Sequence, residues 1–586
     1  MGGSFFLQAS GDDRPGSSVE PAEPSTTLQA AGLHLRTTFG AISIFATSDT
    51  SMVRLPNDGV VLGALYSLSG EVIRNAGQLA CPPSSNAIRH HILENCWGDY
   101  VIVMPEGTGP CAISITRSPS HACELQCVYS LSNGKGFVTS DISLAVRLGL
   151  YRRRVDFDYM AHRLIYPDLK TSRTGLAGVN ELLPGCTLLL QDGNVRIDQA
   201  WSPWNFVGRN QRYADGQEAA SAIRRAIMVV VNTWADRDES VLLELSGGLD
   251  SSIVGACLKH SQATVACGTL TTPVPGGDER EYGSLVARML GTELSVTELR
   301  YDAPFDFAVP QEFVTPVIGP LQYAVDRIME ATAERSGANS YFSGAGGDTV
   351  FCYLTNAAPA VDAFRGAGLS TGIQAVRDIS AFHQCTYWKA GRLTLRKLLR
   401  SKGHQHGIDH WLLSSRTPLP EPELHPWLSQ PPRSLPGDRQ RIFELSATQF
   451  FRDSCPRGLN RPVRMPLLSQ PVIEACLRAP SWMWFSGGQN RAIARSAFSD
   501  VLPPMILARK SKGSFTAYLG ALYRRKVDKM LDFLLDGELE SHGLLDGQAL
   551  RQFSQGEPPR SDSAFMRMFQ LCTLENWIRQ QSRLSG

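Results

Sequence analysis

The chain has no excess of positive charge, since 57 lysines and arginines stand against 56 aspartates and glutamates and leave a net charge of +1. Nucleic-acid binding through bulk electrostatics needs a basic excess that displaces counterions. Long apolar runs are also missing, because the longest, 60–68 and 226–231, fall far short of the ~20 residues that span a bilayer. We therefore expect no nucleic-acid partner and no membrane span.

Targeting segments and cysteine frameworks are missing as well. The amino terminus has no basic region followed by an apolar stretch and a small-residue cleavage site, and Phe6 breaks the myristoylation pattern. The 13 cysteines are odd in number and scattered, which is typical of reduced thiols. Cys123 and Cys127 have no second pair that could complete a zinc site. These features predict a cytoplasmic chain.

Length and composition indicate a folded protein of several domains. The hydrophobic fraction of 43% is enough for a sizeable core. A chain of 586 residues is too long to fold around a single core. Residues 10–30 are rich in Gly, Ser, Pro and acidic side chains, which favours a mobile leader. Short β-rich runs then follow as far as residue 190. The predicted divisions are a leader over 1–32, a strand-rich domain over 33–206, a polar linker over 207–216 and a second domain over 217–586.

In the second domain, strands alternate with amphipathic helices. Apolar residues between 222 and 234 recur at intervals of three and four, which predicts one buried helix face. Buried strands are predicted at 241–245 and 264–270, each followed by a helix, and a third strand begins at Tyr341. Such alternation predicts a parallel sheet covered on both faces. From about residue 355 onward the pattern is mostly helical.

A glycine- and serine-rich loop lies between the first of these strands and its helix. Residues 245–252 have the sequence Leu-Ser-Gly-Gly-Leu-Asp-Ser-Ser. The glycines allow close backbone approach to an anion, and the serine hydroxyls and the positive end of the helix favour a pyrophosphate there. Asp250 stands where a cation would be expected, which makes sense if a magnesium ion lies between its carboxylate and the phosphates.

This loop resembles the pyrophosphate loop of N-type ATP pyrophosphatases, which cleave ATP between the α and β phosphates and adenylate a substrate. No Gly-x-x-x-x-Gly-Lys-Ser/Thr sequence occurs in the chain, so transfer of the γ-phosphate is disfavoured. Since several enzyme classes share such a loop, the resemblance implies the adenylation step but leaves the acceptor open.

A second acidic glycine loop follows the third predicted strand. Residues 343–348 have the sequence Ser-Gly-Ala-Gly-Gly-Asp. Loops at the carboxyl ends of neighbouring parallel strands face the same crevice. We therefore expect Asp250 and Asp348 to hold the magnesium ion of ATP between them.

This second loop resembles that of the asparagine synthetase family, and residues 277–282, 461–468 and 502–515 resemble further stretches of the same family. The resemblance implies that Lys512 is the catalytic lysine, which would neutralise charge on the α-phosphate and the oxyanion. With Asp250 and Asp348 it completes the expected catalytic set, and Asp278 and Glu281 are tentative substrate residues. The residues expected to bind ATP or pyrophosphate are Leu245, Ser246, Gly247, Gly248, Asp250, Ser251, Ser252, Cys267, Ser343, Gly344 and Lys512.

The amino-terminal half resembles the glutaminase-like domain of that family, at residues 61–63, 94–100, 117–119 and 182–185. The implied fold class combines α/β with α+β. An Ntn-type α-β-β-α sandwich precedes a parallel-sheet ATP-pyrophosphatase synthetase domain of the adenine nucleotide α-hydrolase kind. A working glutaminase of this family needs a cysteine after the initiator methionine, and position 2 is Gly. Glutamine hydrolysis is therefore not expected.

Residues 346–352, Gly-Gly-Asp-Thr-Val-Phe-Cys, resemble the corresponding loop of lasso-peptide cyclases, the macrolactam synthetases of bacterial peptide clusters. The implied reaction adenylates an Asp or Glu side chain of a precursor peptide, whose own α-amine then displaces AMP. ATP and Mg²⁺ are the implied cofactors, and a leader-binding protein and a leader peptidase are the implied partners. The general base stays open among substrate phosphate, Glu281 and Asp278, because Ala345 cannot take a proton.

Several alternatives remain at this point. His404, His406 and His410 could bind a metal, although their basic, glycine-containing surroundings favour a solvated or partner-facing loop. The enzyme could form amides or β-lactams on small carboxylic acids, or use ammonia as asparagine synthetases do. A scaffold that keeps the fold without catalysis is disfavoured, because both carboxylates, the loop serines and Lys512 are retained.

Overall fold

The computed structural model describes residues 3–10, 26–79, 83–107, 112–120, 125–274, 278–301, 313–399, 409–417, 419–453, 455–509, 513, 515–556 and 564–584. The predictions made for Cys123, His404, His406 and Lys512 lie outside these residues. Within them, no helix combines the length and apolar character needed to cross a membrane.

The amino-terminal part consists of two six-stranded sheets and four helices among the described residues. Neighbouring strands are antiparallel throughout, in the orders β10-β8-β9-β1-β3-β2 and β12-β11-β7-β6-β5-β4. The elements are β1 Phe5–Ser10, α1 Thr26–Ala30, β2 Leu33–Phe39, β3 Ile42–Thr47, β4 Met52–Arg54, β5 Val60–Ser67, α2 Ser85–Asn95, β6 Cys96–Pro105, β7 Ile113–Arg117, β8 Val128–Ser132, β9 Lys135–Thr139, α3 Ile142–Arg147, α4 Phe157–Ile165, β10 Asn180–Glu181, β11 Cys186–Gln191 and β12 Asn194–Gln199.

Side-chain alternation along the strands decides how these sheets stack. Phe5 and Leu7 point into the core between the two sheets, where they meet Leu62 and other residues of the second sheet. Phe6, one position out of phase, belongs to the core on the opposite face, together with residues of α3 and α4. Helix α2 covers the outer face of the second sheet through Ile88 and its neighbours. The layer order is helix, sheet, sheet, helix, in agreement with the expected sandwich.

The prediction of a mobile leader over residues 1–32 is wrong for its described parts. Strand β1 pairs with both β3 and β9 and lies inside the first sheet, and Leu28 of α1 is fully buried. The polar composition of residues 10–30 favours a mobile segment, but it says nothing about the strand before them. A six-residue strand gains its stability from partners far along the chain, which local composition does not reveal.

The second part contains a parallel sheet and a large helical region. Its elements are α5 Gly216–Asp238, β13 Ser240–Glu244, α6 Leu249–Leu258, β14 Thr264–Thr271, α7 Arg280–Met289, β15 Leu294–Glu298, α8 Pro320–Ser336, β16 Ser340–Ser343, α9 Gly347–Val350, α10 Ala358–Gly366, α11 Leu369–Phe382, α12 Tyr387–Leu399, α13 Pro436–Ala447, α14 Phe450–Asp453, β17 Val463–Arg464, α15 Gln470–Arg478, β18 Phe485–Ser486, β19 Gln489–Asn490, α16 Ala492–Ala497, α17 Pro504–Ala508, α18 Thr516–Leu535, α19 Glu538–Ser541, α20 Gly547–Ser554 and α21 Met566–Leu584.

The parallel sheet has the strand order β15-β14-β13-β16-β17. The chain runs outward from β13 to β15 and then returns to place β16 on the other side of β13. The strand order therefore reverses between β13 and β16, and such a switch point opens a crevice at the carboxyl ends of the two strands. The predicted strands β13, β14 and β16 are confirmed. Strand β15 was missed because its short, half-exposed sequence has no apolar run.

Helix α5 joins the two parts of the chain. Asp215 caps it by accepting hydrogen bonds from the amides of Gln217 and Glu218, at 2.8 and 2.9 Å. Its buried face includes Trp234, whose ring lies 5.7 Å from that of Trp97 in β6. The predicted amphipathic helix is confirmed, and its apolar face packs both on the parallel sheet and on the amino-terminal part.

Candidate active site

The first predicted loop leaves β13 at Glu244 and enters α6 at Leu249. Gly247 has a φ of +62°, in the left-handed region that favours glycine. The hydroxyls of Ser251 and Ser252 both donate to the carbonyl oxygen of Gly248, at 3.3 and 2.7 Å. The amide of Ser246 donates to Ser251 Oγ at 3.3 Å. The serines thus shape the loop at the amino end of α6, a ten-residue helix whose end favours an anion.

Arg509, far along the chain from this loop, fixes the loop backbone. Arg509 Nη1 donates to the carbonyl oxygen of Gly247 at 2.6 Å, and its Nη2 pairs with Glu279. The guanidinium lies 4.0 Å from the ring centre of Tyr282. Glu279 Oε1 also accepts from the amide of Gly513 at 2.9 Å. Glu279 therefore ties both Arg509 and Gly513 to the neighbourhood of the first loop.

The tentative substrate residues Asp278 and Glu281 are exposed, whereas Glu279 is buried. Asp278 is exposed and pairs with Arg280, two positions along, at 2.6 Å. That neighbour lowers the pKa of Asp278 through its hydrogen bond. Glu281 is also exposed. Within this stretch, Glu279 and Tyr282 are the residues that lie against the first loop and Arg509. The sequence indicated both only as members of a family-like stretch.

The second loop meets the first through close backbone contact. It follows β16, which pairs with β13 so that Ser343 lies opposite Glu244. A Cβ atom at Gly344 would overlap the backbone nitrogen of Ser251, and one at Gly347 would overlap the Asp250 carboxylate. The glycines are therefore required for the two loops to touch. The expectation that the loops follow neighbouring parallel strands and lie side by side is confirmed.

A buried arginine joins the two acidic residues. Arg491 Nη1 lies 3.0 Å from Asp250 Oδ1 and 2.8 Å from Asp348 Oδ1. The arginine follows β19 with a left-handed φ of +53° and is 8% exposed. Its Nε has no hydrogen-bond partner among the described residues. Sequence reasoning missed Arg491, because nothing local to an arginine after a short hairpin indicates two carboxylate partners.

The two carboxylates suit the magnesium ion of a nucleotide. Mg²⁺ is commonly held by one or two carboxylates together with substrate phosphates and water. The Asp250 carboxylate is 8% exposed and that of Asp348 is 47% exposed, so one carboxylate is buried and the other is open to solvent and ligands. Among the described residues, no cluster of three or more His, Cys, Asp or Glu side chains could hold a metal alone. The donor set fits a metal that arrives with phosphate.

Three further residues predicted to bind ATP, Leu245, Cys267 and Ser343, lie in the core or in the second loop. Leu245 is buried in the core beneath the first loop. Cys267 belongs to the same core and lies opposite Leu243, and burial raises the pKa of its thiol to about 12. Ser343 Oγ accepts from the amide of Ala345 at 3.3 Å. Ala345 itself packs against the core.

A cavity of about 590 Å³ adjoins the second loop at Thr349, the residue after Asp348. It lies between α4, α13, α14 and α21, so both parts of the chain line it. Its wall carries three aromatic rings, of Phe443, Phe450 and Phe451, and charged side chains of both signs. The charged residues are Arg163, Arg567, Asp168 and Glu444. The guanidinium of Arg163 lies 3.9 Å from the ring centre of Phe450.

Comparison with known proteins identifies a family. The family described as Asparagine synthase matches residues 222–579, which is more than half of the chain and includes both loops, Arg491 and Arg509. No characterised protein matches in a search of curated sequences.

Among solved structures, two enzymes are similar over part of the chain. The allosteric regulatory enzyme of purine biosynthesis is 10% identical, with 54% of this chain and 78% of that chain covered and a TM-score of 0.18. The glutamine phosphoribosylpyrophosphate amidotransferase from B. subtilis, complexed with ADP and GMP, is also 10% identical, with 58% and 81% covered and a TM-score of 0.19. The family match is the informative one. The chain belongs to the asparagine synthase family and is an ATP-dependent carbon–nitrogen ligase.

Proposed function

We propose that the protein is a peptide macrolactam synthetase. A side-chain carboxylate of Asp or Glu in a ribosomal precursor peptide attacks the α-phosphate of ATP, which gives an acyl-adenylate and pyrophosphate. The α-amine of the same peptide then attacks the acyl carbon, loses a proton and releases AMP. Holding the amine and the acyl group together removes most of the entropic cost of the second step. The product is an isopeptide-closed ring, as in lasso peptides.

The observation that carries this proposal is the contact between two acidic glycine loops at the switch point of the sheet. The first loop would bind the pyrophosphate portion of ATP at the amino end of α6. Asp250 and Asp348 would hold Mg²⁺ on the phosphates. When bound, the ion would neutralise charge on the leaving pyrophosphate. Arg491 already contacts both carboxylates and supplies a fixed positive charge there.

The cavity beside Thr349 supports the proposal that the substrate is a peptide. A volume of about 590 Å³ falls in the range of pockets that take drug-sized ligands, and is generous for a single amino acid. Its aromatic wall can pack against the apolar side chains of a peptide. A substrate chain bound there would bring its carboxylate beside the second loop.

The other parts of the proposal follow from the family-like sequence. Residues 33–206 would form a glutaminase-like domain without glutaminase activity, and residues 217–586 an ATP-pyrophosphatase domain. A cyclase needs no ammonia, because the peptide carries its own amine, and Ala345 leaves no acid–base group at that position. The protein would work in a bacterial cytoplasm with a leader-binding protein and a leader peptidase.

Exchange between ATP and labelled pyrophosphate tests this proposal. We expect exchange only when the linear precursor peptide encoded beside the gene is present, and a product lighter than the core peptide by one water. Exchange with free amino acids, or amide formation from ammonia, would instead favour a small-molecule synthetase. No exchange under any of these conditions would contradict adenylation altogether.

Substitution of Asp348 tests the metal assignment. We expect Asp348→Ala to abolish AMP release while the protein still folds, since the half-exposed carboxylate contributes little to the core. Asp198→Ala is a matched control, because Asp198 lies on β12 of the amino-terminal part and pairs only with Arg196 among the described residues. Near-normal turnover in a folded Asp348→Ala protein would contradict the assignment.

A further inference from the structure

Exposed apolar side chains are concentrated on α11 and α12. Among the described residues, 21 large apolar side chains are exposed, and seven of them lie between positions 369 and 399. Trp388 is 82% exposed, Leu399 74% and Leu369 71%. Single exposed apolar residues need no explanation, but a cluster of this size indicates an interaction surface.

Three of these side chains form a stripe along α12. Trp388, Leu395 and Leu399 are spaced by seven and four residues, so they lie on one side of the helix. The opposite side holds Ala390 and Thr394, which are buried against the neighbouring helices α10 and α11. The helix is therefore fixed to the protein by one face and presents the stripe outward.

Positive charge accompanies the stripe. Arg392 lies within it, and Lys389 and Arg396 lie beside it, all three exposed. Helix α12 contains no acidic residue. Lys397 points to the protein side, where its Nζ donates to Asn356 Oδ1 at 3.1 Å. The outward face of α12 thus combines a tryptophan, two leucines and three cations.

We propose that α12 binds an anionic phospholipid surface, with the helix lying in the plane of the interface. Tryptophan and leucine side chains between lysines and arginines are the pattern of helices that bind in this way. The apolar stripe would enter the boundary between headgroups and acyl chains, and the cations would meet the lipid phosphates. The proposal is independent of the reaction that the enzyme catalyses.

The shape of the surface favours lipid over a protein or a peptide. The stripe is a ridge of side chains along the outer side of a helix, whereas a peptide docks in a groove or along a sheet edge. No residue of α12 lines the cavities at Trp482, Thr349 or Asp99. A standard protein interface takes about 20–30 residues on each side, far more than this ridge offers. A lipid surface needs no matching shape.

Co-sedimentation of the full chain with vesicles tests the proposal. We expect binding to vesicles of phosphatidylglycerol and phosphatidylcholine, weaker binding at high salt, and a blue shift of tryptophan emission. The variant K389Q/R392Q/R396Q should lose about 100-fold in affinity, since each cation near such a surface contributes roughly tenfold or less. The variant W388S/L395S/L399S should lose both the binding and the blue shift.

The control variant L35S/L68S/L150S removes exposed apolar side chains from the amino-terminal part and should bind vesicles like the unmodified protein. All three variants should keep their melting temperature and their AMP release. Equal binding to pure phosphatidylcholine vesicles, or unchanged binding in both α12 variants, would overturn the proposal. So would a dimer in light scattering that W388S/L395S/L399S converts to monomer, since the ridge would then bind a second copy.

Discussion

At the scale of single residues, Arg491 joins the two acidic loops. Two carboxylates at one place repel each other, and a guanidinium in contact with both offsets that repulsion. Its left-handed backbone would be unfavourable for an arginine in isolation. Such a conformation persists where the surrounding structure over-determines it, which happens most often at functional sites.

Replacing Arg491 tests its contribution to the reaction. We expect Arg491→Ala to lower AMP release by about 10²–10³-fold, the usual effect of removing one preorganised group that stabilises charge in a transition state. Arg433→Ala is a matched control, because Arg433 also has a left-handed φ, +64°, but is exposed. The measurement is the rate of AMP release at saturating ATP, with melting temperatures recorded for both variants. Full activity of Arg491→Ala would contradict the assigned role.

At the scale of elements, the site depends on two loops that the sheet brings side by side. Strands β13 and β16 are far apart in sequence and adjacent in the sheet, so both loops leave the same edge. The first loop is supported from below by the buried strand and from the side by Arg509 and Glu279. The second loop is placed by its direct backbone contact with the first.

The close approach of the loops makes a specific substitution informative. Because a Cβ at Gly344 would overlap the Ser251 backbone, Gly344→Ala must push the loops apart. A displacement near 1 Å at a reacting centre can cost about 100-fold in rate, and we expect a loss of that order in AMP release. The protein should still fold, because the overlap is confined to the loops.

The matched control is Gly216→Ala at the start of α5, where an added Cβ meets nothing within 4 Å. This variant should keep both activity and melting temperature. If Gly344→Ala kept full activity, the loops would not need the contact seen in this structure.

At the scale of the whole molecule, buried polar contacts join the amino-terminal part to the helices that follow the sheet. Glu474 of α15 accepts hydrogen bonds from Trp201 Nε1 and Gln470 Nε2, at 2.9 and 3.0 Å. Gln470 Nε2 also donates to the carbonyl oxygen of Leu93, at 2.7 Å. On the other side, Lys170 lies 2.6 Å from Glu181 and 3.5 Å from Asp453. The cavity at Thr349 lies between these two parts of the chain.

The buried carboxyl group of Glu474 should make the free energy of unfolding depend on pH. Burial raises the pKa of Glu474 from 4.5 to about 7. The folded state therefore keeps a proton that the unfolded chain releases, and the free energy of unfolding falls as pH rises between about 4.5 and 7. E474Q removes this titration, and its amide can donate to Gln470 Oε1, which has no donor among the described residues. We expect E474Q to be the more stable protein at pH 8, by on the order of 3 kcal/mol.

Denaturant unfolding at pH 5 and pH 8 measures this effect. The difference between E474Q and the unmodified protein cancels the contribution of other titrating groups and should grow with pH. Glu293→Gln, at an exposed position, is the control and should show no such trend. A constant difference between E474Q and the unmodified protein would mean that Glu474 does not carry the proton.

The sequence alone predicted the two acidic glycine loops and the elements around them. Residues 245–252 and 343–348 carry local requirements for close backbone approach and for an acidic side chain, and the apolar periods of α5, β13 and β14 are strong. Such features depend on residues that are close together in the chain, so they can be recognised from the sequence. The helix–strand alternation then limited the sheet to a parallel one and placed the two loops at one edge.

Only the tertiary structure decided which distant residues complete the site. Arg491, Glu279 and Arg509 reach it from other elements, and an isolated charged side chain has no local pattern that names its partner. The same reason explains β1, whose stability comes from β3 and β9, and the exposed ridge of α12, whose periodicity alone does not tell which face is buried. Pairing across long chain separations depends on packing, and packing is settled by the whole fold.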